Sequence, residues 1–357
     1  MDAKLLGKLE KRQSDGVWRE LSLKSGTIDF FSNDYLGIAR DFQYESKRKA
    51  GSTGSRLLSG NSQEAITCEK QLAAYFGVNA ALVFNSGYTA NLGVFSSIPQ
   101  RGDTILYDAF VHASIRDGIR LSFAKAIAFH HNDLLDLEAK LQKAEGTVYV
   151  AVESLYSMDG DKAPLVEMVK IIKKFNAYLI VDEAHACGVY GKEGRGLVDT
   201  FDIKDKVFIR IATFGKAWGF HGAAVLSSEN VKNYLINFAR SFIYTTALPP
   251  SDYDAISQIC SLSDWECRKE KLHENIRFFR SKCTLISPSD EDSPIQILRF
   301  PKDRLKLAIN ALEQKGIMTK AIFPPTVPEG NECIRLCIHA FNSPEEIRIL
   351  CEILMQF

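Results

Sequence analysis

The sequence of 357 residues predicts an α/β protein with a mainly parallel sheet of seven strands, helices on both faces and a smaller α+β domain at the carboxyl terminus. Short β-rich runs alternate with helical patterns from about residue 80 to 226, and this alternation is typical of a doubly wound sheet. Beyond about residue 250 the order of elements changes. We therefore predict an N-terminal segment over 1–40, a large domain over 41–250 and a small domain over 251–357.

The elements follow in order along the chain. Residues 1–20 predict an amphipathic helix, because Leu5, Leu6 and Leu9 fall on one stripe. Helical patterns such as "DLLDLEAKLQKA" and "LVEMVKIIKKF" lie between most of the β-rich runs. The seven runs are ALVF (81–84), TILY (104–107), AIAF (126–129), TVYVAVE (147–153), AYLIVDE (177–183), VFIRIAT (207–213) and AAVL (223–226).

The second domain is predicted from a different pattern. A long helical region includes "WECRKEKLHENIRFFRSK" and is followed by the β-rich run "IQILRF". A helix over 302–315, the runs "GIMTKAI" and "CIRLCIHA", and a final helix complete the chain. Strands and helices mixed in this way are typical of a small α+β domain.

Composition restricts the function classes. Lysine plus arginine equals aspartate plus glutamate, 44 of each, so no net field favours nucleic acid or a membrane surface. The amino terminus has charges every few residues and no apolar h-region, and no apolar run approaches the ~20 residues that span a bilayer. The eight cysteines lack the spacing of a zinc site. We expect reduced thiols in a cytoplasm, no metal, and no nucleic-acid or membrane partner.

Three strand ends carry residues that could do chemistry, although each alone has an ordinary alternative. Ser86 and Gly87 begin a helix whose free N–H groups could bind phosphate, or they only cap that helix. Asp182 ends a buried strand, where it could hold a cationic ligand or cap the next loop. Lys216 follows "VFIRIAT" and could form an imine with a carbonyl cofactor, or extend its charge to solvent.

Taken together, these strand ends favour pyridoxal 5′-phosphate (PLP). The carboxyl ends of parallel strands meet at one edge of a sheet, where ligands bind. PLP needs donors for its phosphate, a carboxylate for its pyridine nitrogen and a lysine for its aldehyde. Thr213 adds a hydroxyl beside Lys216, and His112, after "TILY", could stack on the ring.

Longer motifs carry a resemblance that covers almost the whole chain. The sequence resembles the α-oxoamine synthase family of fold-type I PLP enzymes. This resemblance implies the fold of those enzymes and an acyltransferase activity that uses PLP. The matching stretches are SNDYLG (32–37), GSTGSRLLSGN (51–61), NSGYTAN (85–91), SMDGDKAPL (157–165), VDEAHACGVYGKEGRG (181–196), TFGKAWG (213–219), IYTTALPP (243–250) and PPTVPEG followed by IRL (324–336).

The resemblance implies a role for each matching residue. Lys216 would hold PLP as an internal aldimine, Asp182 would pair with the pyridine nitrogen, and His112 would stack on the ring. Asn33 would lie near the substrate, and Arg335 would bind the substrate α-carboxylate. Further contacts to the cofactor are implied for Gly87, Tyr88, Ser157, His185, Thr213 and Thr246.

The resemblance also implies a reaction and an assembly. Family members join an amino acid to an acyl thioester with loss of CO2, and "PPTVP" resembles the branch that uses L-alanine and a pimeloyl thioester. A sister synthase using glycine or serine, an aminotransferase, and a catalytically inactive scaffold are the alternatives. The implied homodimer would bring Thr246, or its neighbour Thr245, to the phosphate of the partner subunit.

Some positions depart from the family pattern. Cys187 stands in the segment "HACG", where the family usually has "HGTG". Trp218 and His221 replace smaller or apolar residues, Ala65 replaces a histidine, and Phe323 replaces a basic residue before "PPTVP". These departures concern recognition of the acyl chain rather than the predicted contacts to the cofactor.

Overall fold

A computed structural model describes residues 2–15, 18–19, 21, 26–324, 327 and 329–357. The chain divides into two compact units, of which the larger contains 33–273 and 339–341. The smaller contains 1–32, 274–338 and 342–357. Compactness alone does not test where folding domains begin, so the ranges 1–40, 41–250 and 251–357 stay a prediction.

The described residues form helices and strands in alternation. The helices are α1 (Ala3–Ser14), α2 (Ile38–Asp41), α3 (Gln63–Phe76), α4 (Gly87–Ser97), α5 (Ala113–Leu121), α6 (Leu134–Leu141), α7 (Leu165–Lys174), α8 (Leu197–Thr200), α9 (Glu229–Phe238), α10 (Arg240–Ile243), α11 (Pro250–Cys260), α12 (Trp265–Lys282), α13 (Lys302–Gln314) and α14 (Pro344–Leu354). The strands are β1 (Ile28–Asp29), β2 (Ala80–Phe84), β3 (Thr104–Asp108), β4 (Lys125–Phe129), β5 (Val148–Glu153), β6 (Tyr178–Asp182), β7 (Ile209–Thr213), β8 (Ala223–Ser227), β9 (Ile295–Arg299), β10 (Ile317–Met318), β11 (Lys320–Ile322) and β12 (Cys333–Cys337).

The larger unit is built on a seven-stranded sheet in the order β2-β8-β7-β6-β5-β3-β4. Strands β7, β6, β5, β3 and β4 run parallel to one another, and β8 is antiparallel to both of its neighbours, β2 and β7. The predicted mainly parallel, seven-stranded sheet is therefore confirmed. Because six strands run in one direction, their carboxyl ends share one edge of the sheet.

Both faces of this sheet are covered. Ile211 of β7 packs in the same core cluster as Val94 of α4 and Ile115 of α5. The guanidinium of Arg210, one position earlier, lies 5.4 Å from the ring of Phe76 in α3. Since alternate residues of a strand point to opposite faces, α3 lies on the other side of the sheet from α4. Burial on both faces explains why the central runs are continuously apolar.

The smaller unit has the predicted α+β composition. Strands β11, β12 and β9 form an antiparallel sheet in that order, and β1 pairs in parallel with β10. Helix α13 ends at Gln314, one residue before the predicted end. Among the described residues, no helix is both long and apolar enough to cross a bilayer.

The amino-terminal helix differs from its prediction. The sequence predicts a helix over 1–20, whereas α1 ends at Ser14, and residues 1, 16, 17 and 20 lie outside the described part of the chain. The apolar stripe is not buried, because Leu5, Leu6 and Leu9 remain 55%, 44% and 40% exposed. The pattern predicted an apolar face correctly, but it cannot supply a neighbour to cover that face.

Candidate active site

A cavity of about 210 Å³ lies at the carboxyl edge of the central sheet. Side chains from the ends of β3, β5, β6 and β7 meet there with the first turn of α4. Residues from distant motifs are therefore brought together, as expected for a parallel sheet. The predicted site residues that line the cavity are Gly87, Tyr88, His112, Asp182, His185, Thr213 and Lys216.

Lys216 lies in a tightly folded loop between β7 and β8. The N–H of Phe214 donates to Gly222 O, and the N–H of Gly219 donates to Lys216 O. Gly219 has φ +62°, and a Cβ there would lie 2.2 Å from the backbone nitrogen of Ala39, so this turn requires glycine. The loop directs the lysine side chain back to the edge of the sheet, and it does not project freely into solvent.

The amine of Lys216 contacts an imidazole. Its Nζ lies 2.6 Å from Nε2 of His185, and Nδ1 of the same ring lies 2.8 Å from the hydroxyl of Tyr35. Tyr35 in turn donates to Oδ1 of Asn33 at 3.2 Å. If Nδ1 donates to Tyr35, then Nε2 is free to accept a proton from the lysine. This chain of contacts can hold or remove one proton at Nζ.

Asp182 ends β6 with only 5% of its surface exposed. Its Oδ1 accepts the N–H of Ala184 at 2.9 Å, and its Oδ2 accepts the side-chain amide of Asn91 at 2.7 Å. Both of these donors are neutral. A buried carboxylate at the wall of a cavity is stabilised by a cationic partner, so this geometry suits a ligand with a protonated ring nitrogen.

The first turn of α4 faces the end of β7. Ser86 caps the helix by accepting the N–H of Thr89, which leaves the N–H groups of Gly87 and Tyr88 without a partner inside the helix. A Cβ on Gly87 would lie 2.6 Å from Cγ2 of Thr213. Glycine at this position therefore keeps the helix start close to the Thr213 hydroxyl, in an arrangement that suits a phosphate.

His112 stands at the start of α5. Its backbone N–H donates to Oε1 of Glu153 at 2.6 Å, and its Nδ1 accepts the N–H of Ser114 at 3.2 Å. The neutral ring therefore carries its proton on Nε2. Burial lowers the pKa of His112, the charge of Asp182 raises it and that of Lys216 lowers it, with a net decrease. A neutral imidazole of this kind is suited to stacking on a ring.

Asn91 and Glu153 also line the cavity, although the sequence predicts a role for neither. Asn91 lies inside the motif "NSGYTAN", and Glu153 is the last residue of a buried strand. Burial, and then the negative charge of Asp182, raise the pKa of Glu153 to about 8, although Lys216 lowers it. A polar side chain ending an apolar run was the available signal for Glu153, as it was for Asp182.

The other predicted site residues lie elsewhere. Ser157 follows β5 and Thr246 follows α10, and neither lines the cavity. The carbonyl of Thr246 accepts the side-chain amide of Asn85 at 2.9 Å, next to the cap of α4. Asn33 reaches the site through Tyr35. Arg335 belongs to the smaller unit, where it lies on β12 and donates to Sγ of Cys337 at 3.0 Å.

Three of the departures from the family pattern lie in different structural environments. Trp218 is buried among aromatic rings, at 5.5 Å from Tyr75 and 4.8 Å from Phe214. Cys187 is also buried, and burial raises the pKa of its thiol. His221 lines the cavity, so this departure alone changes its wall.

Comparison with known proteins agrees with this geometry. The family model for aminotransferase class I and II matches residues 25–354. The 8-amino-7-oxononanoate synthase of Emericella nidulans is 39% identical, and the match covers 96% of this chain and 92% of that protein. A solved 8-amino-7-oxononanoate synthase from Francisella tularensis is 31% identical with a TM-score of 0.79, covering 92% of this chain and 97% of that one.

A second solved structure is similar over nearly the whole chain. It is a serine palmitoyltransferase variant from S. paucimobilis with a bound PLP–myriocin aldimine, and its TM-score is 0.88 at 26% identity. The match covers 99% of this chain and 96% of that chain. On the extent of these matches, the chain belongs to the aminotransferase class I and II family and, within it, to the α-oxoamine synthases.

Proposed function

We propose that this chain is a PLP-dependent acyltransferase that condenses L-alanine with a pimeloyl thioester. The reaction releases CO2 and the thiol and gives 8-amino-7-oxononanoate, a step of biotin synthesis. One observation carries the proposal: the Lys216 amine, the Asp182 carboxylate and the open first turn of α4 face a single cavity. Relatives named 8-amino-7-oxononanoate synthase support the choice of product.

The residues of the cavity fit PLP. Gly87 keeps the first turn of α4 within reach of Thr213, and this close approach is what a phosphate group requires. Asp182, with its two neutral donors, is ready to pair with a protonated pyridine nitrogen. Lys216 would hold the aldehyde carbon, and His112 would cover one face of the ring. Tyr88 and His185 complete this set of contacts.

When bound, PLP supplies a carbonyl group for amines and a protonated ring that accepts the electron pair left at Cα after a proton or CO2 departs. The Nζ of Lys216 would be the base that takes the Cα proton of the amino acid. His185 can receive that proton at Nε2, which lies 2.6 Å away. Asp182 would keep the ring nitrogen protonated, because its negative charge would stabilise the N–H form.

The substrate assignment rests mainly on the resemblance. Arg335 is proposed to pair with the α-carboxylate of alanine, since a guanidinium forms bidentate pairs with carboxylates. Pro325, Thr326 and Pro328 of "PPTVP" lie outside the described residues. Asn33 is proposed to lie beside the substrate, and its contact with Tyr35 links it to His185.

A homodimer is part of the proposal. Large aromatic side chains are exposed in one chain, among them Tyr88 of the cavity lining at 44% and Tyr244, two residues before Thr246, at 73%. A second chain would cover such a surface and bring its Thr246 to the phosphate, with Ser157 supplied by the first chain. We place the enzyme in the cytoplasm, where its eight free cysteines would stay reduced.

A second candidate is a sister synthase that joins glycine or serine to another acyl thioester. The similarity to serine palmitoyltransferase, which covers 99% of this chain, supports this second candidate. Both candidates use the same cofactor contacts, so only the substrates separate them. In both candidates the acyl group could be carried by coenzyme A or by a carrier protein.

A competition experiment decides between the two candidates. Alanine, glycine and serine are each offered with pimeloyl, acetyl, succinyl and palmitoyl thioesters, and kcat/KM is measured for every pair. We expect alanine with the pimeloyl thioester to give the highest value. If glycine or serine with another thioester were preferred, the substrate assignment would be wrong while the cofactor chemistry could stand.

A further inference from the structure

A largely buried histidine outside the cavity lining joins two carboxylates. His131 follows β4, and its Nδ1 lies 2.9 Å from Oδ1 of Asp108 while its Nε2 lies 2.8 Å from Oδ2 of Asp161. Ionised carboxylates can only accept hydrogen bonds, so both ring nitrogens must donate. His131 is therefore an imidazolium, and the proposed reaction does not use it directly.

Aromatic rings fix the orientation of this imidazolium. Phe110 stacks on His131 with ring centroids 4.3 Å apart and an interplanar angle of 17°. Tyr156 meets the same ring edge-on at 4.5 Å and 89°. With both ring nitrogens hydrogen-bonded and two aromatic rings packed against the imidazole, His131 cannot turn without breaking several contacts.

The first carboxylate controls the loop that presents His112. Asp108 is fully buried at the end of β3, and its Oδ1 also accepts the N–H of Phe110 at 2.8 Å. Its Oδ2 accepts the N–H of Asn132 at 2.9 Å. His112 follows four residues after Asp108, so the turn fixed by this carboxylate sets where α5 and the stacking ring begin.

The second carboxylate controls the loop that carries Ser157. Oδ2 of Asp161 also accepts the side-chain amide of Asn132 at 2.8 Å, and the carbonyl of Asp161 accepts the N–H of Tyr156 at 2.9 Å. Ser157 lies within the loop that this backbone contact closes. His131, in the segment that follows β4, thus joins the loop after β3 to the loop after β5 through its charged imidazole.

We propose that His131 is a positioning residue, which locks the His112 loop against the Ser157 loop and so fixes one wall of the cofactor cavity. It does not line the cavity itself. The part of this inference that concerns the cofactor rests on the proposed function, whereas the part that concerns the two loops does not. Losing the cation would leave Asp108 buried without its charged partner, and the turn before His112 would loosen.

Hydrogen exchange of the protein without cofactor tests the loops directly. The variant is His131→Gln, and the matched control is His130→Gln, which changes the adjacent histidine, an exposed residue paired with Asp136. We expect amides in 109–115 and 154–162 to exchange about tenfold faster in His131→Gln, equivalent to roughly 1.4 kcal/mol of local opening. Amides of α4 should be unchanged, and the control should match the parent protein. If both loops of His131→Gln exchanged at the rate of the parent protein, the proposal would be overturned.

A double-mutant cycle tests whether His131 acts through His112. The readout is the visible circular dichroism of bound PLP, which depends on the environment of the ring. We expect His131→Gln to change this signal in the parent protein and to add nothing in a His112→Ala background. Additive changes would show that His131 does not act through His112, and the inference would fail. A parent protein with no PLP signal would count against the proposed function, and the exchange experiment would still decide the role of His131 in the loops.

A second variant covers the case in which His131→Gln does not fold. Asp161→Asn removes one carboxylate and leaves the imidazolium paired with Asp108, so the buried charge stays compensated. We expect faster exchange in 154–162 and a smaller change in 109–115. If exchange in both loops of Asp161→Asn matched that of the parent protein, the proposal would also be contradicted.

Discussion

At the scale of single residues, the charge of Asp182 is the feature on which the proposed chemistry depends most. Asp182→Asn keeps the shape and leaves an amide beside Asn91, but it removes the charge that would keep a pyridine nitrogen protonated. We expect kcat to fall by about a hundredfold or more, because each 1.4 kcal/mol of barrier costs about tenfold in rate. Steady-state assays would measure this, with retained PLP absorbance as the control for binding. Turnover close to that of the parent protein would refute the role of the charge.

The imidazolium of His131 should be visible in the pH dependence of stability. Burial lowers the pKa of His131, but hydrogen bonds to Asp108 and Asp161 outweigh it and raise the pKa from 6.5 to about 10. The folded state therefore holds one more proton than the unfolded state between these values, and stability falls as pH rises through this window. Thermal unfolding of the protein without cofactor should show a steeper loss from pH 6.5 to 10 than unfolding of His131→Gln. Parallel curves for the two proteins would contradict this assignment.

Which residues could be predicted depends on how local their signal is. Asp182 ends an apolar run and Lys216 follows another by three residues, so a charge stands out at both positions, and parallel strands bring such ends together. Asn91 was not assigned a role, because its hydrogen bond to Asp182 spans 91 positions and depends on how α4 packs on β6. The sequence predicts only that Glu153 lies at a strand end, because nothing in "TVYVAVE" shows which atom its carboxylate contacts. The structure brings several predicted site residues to one cavity, but the roles of all of them, including those of Ser157, Thr246, Asn33 and Arg335, stay predictions.

At the scale of elements, the contact between the first turn of α4 and the end of β7 builds the proposed phosphate site. Gly87→Ala would place a methyl group 2.6 Å from Cγ2 of Thr213, so the two elements must move apart. We expect weaker PLP binding by about tenfold, the effect of roughly 1.4 kcal/mol. Equilibrium titration of PLP absorbance would measure the change.

A second substitution provides the control for that prediction. Thr213→Ser removes Cγ2 and keeps the hydroxyl, so in the double variant the added methyl group has space. We expect the double variant to recover most of the lost affinity, because the clash and not the lost glycine is the cause. No recovery would show that Gly87 acts in some other way.

The elements were predicted more closely in the sheet than at the amino terminus. The seven apolar runs match β2 to β8 within two residues at either end. Strands such as β5 and β7 are buried throughout and leave a continuous signal, whereas the edge strand β4 is mostly exposed although its run is apolar. Helix α1 has the predicted stripe but ends earlier, and its leucines are exposed. The periodicity of a helix identifies its apolar face. Whether that face is buried depends on a packing partner, which the sequence pattern does not identify.

At the scale of the whole molecule, the proposed homodimer can be tested by mixing inactive chains. Lys216→Ala lacks the amine, and Thr246→Asp would place a negative charge beside the phosphate of the partner subunit. If the sites are shared, a mixed dimer has one site with both changes and one site with neither. Co-expression should then restore about a quarter of the parent activity, since half of the dimers are mixed and each has one intact site. Mixed chains that stay inactive, or a fully active monomer in light scattering, would contradict the shared site.

The most direct measurement of the central claim follows one labelled carbon. Purified protein is supplied with PLP, L-alanine labelled with ¹³C at its carboxyl carbon, and pimeloyl-CoA, and the gas and the product are analysed by mass spectrometry. The proposed reaction predicts one labelled CO2 for each 8-amino-7-oxononanoate formed, an unlabelled product, and neither product from Lys216→Ala. A labelled carboxyl carbon retained in the product, pyruvate formed without consumption of thioester, or full turnover by Lys216→Ala would contradict it.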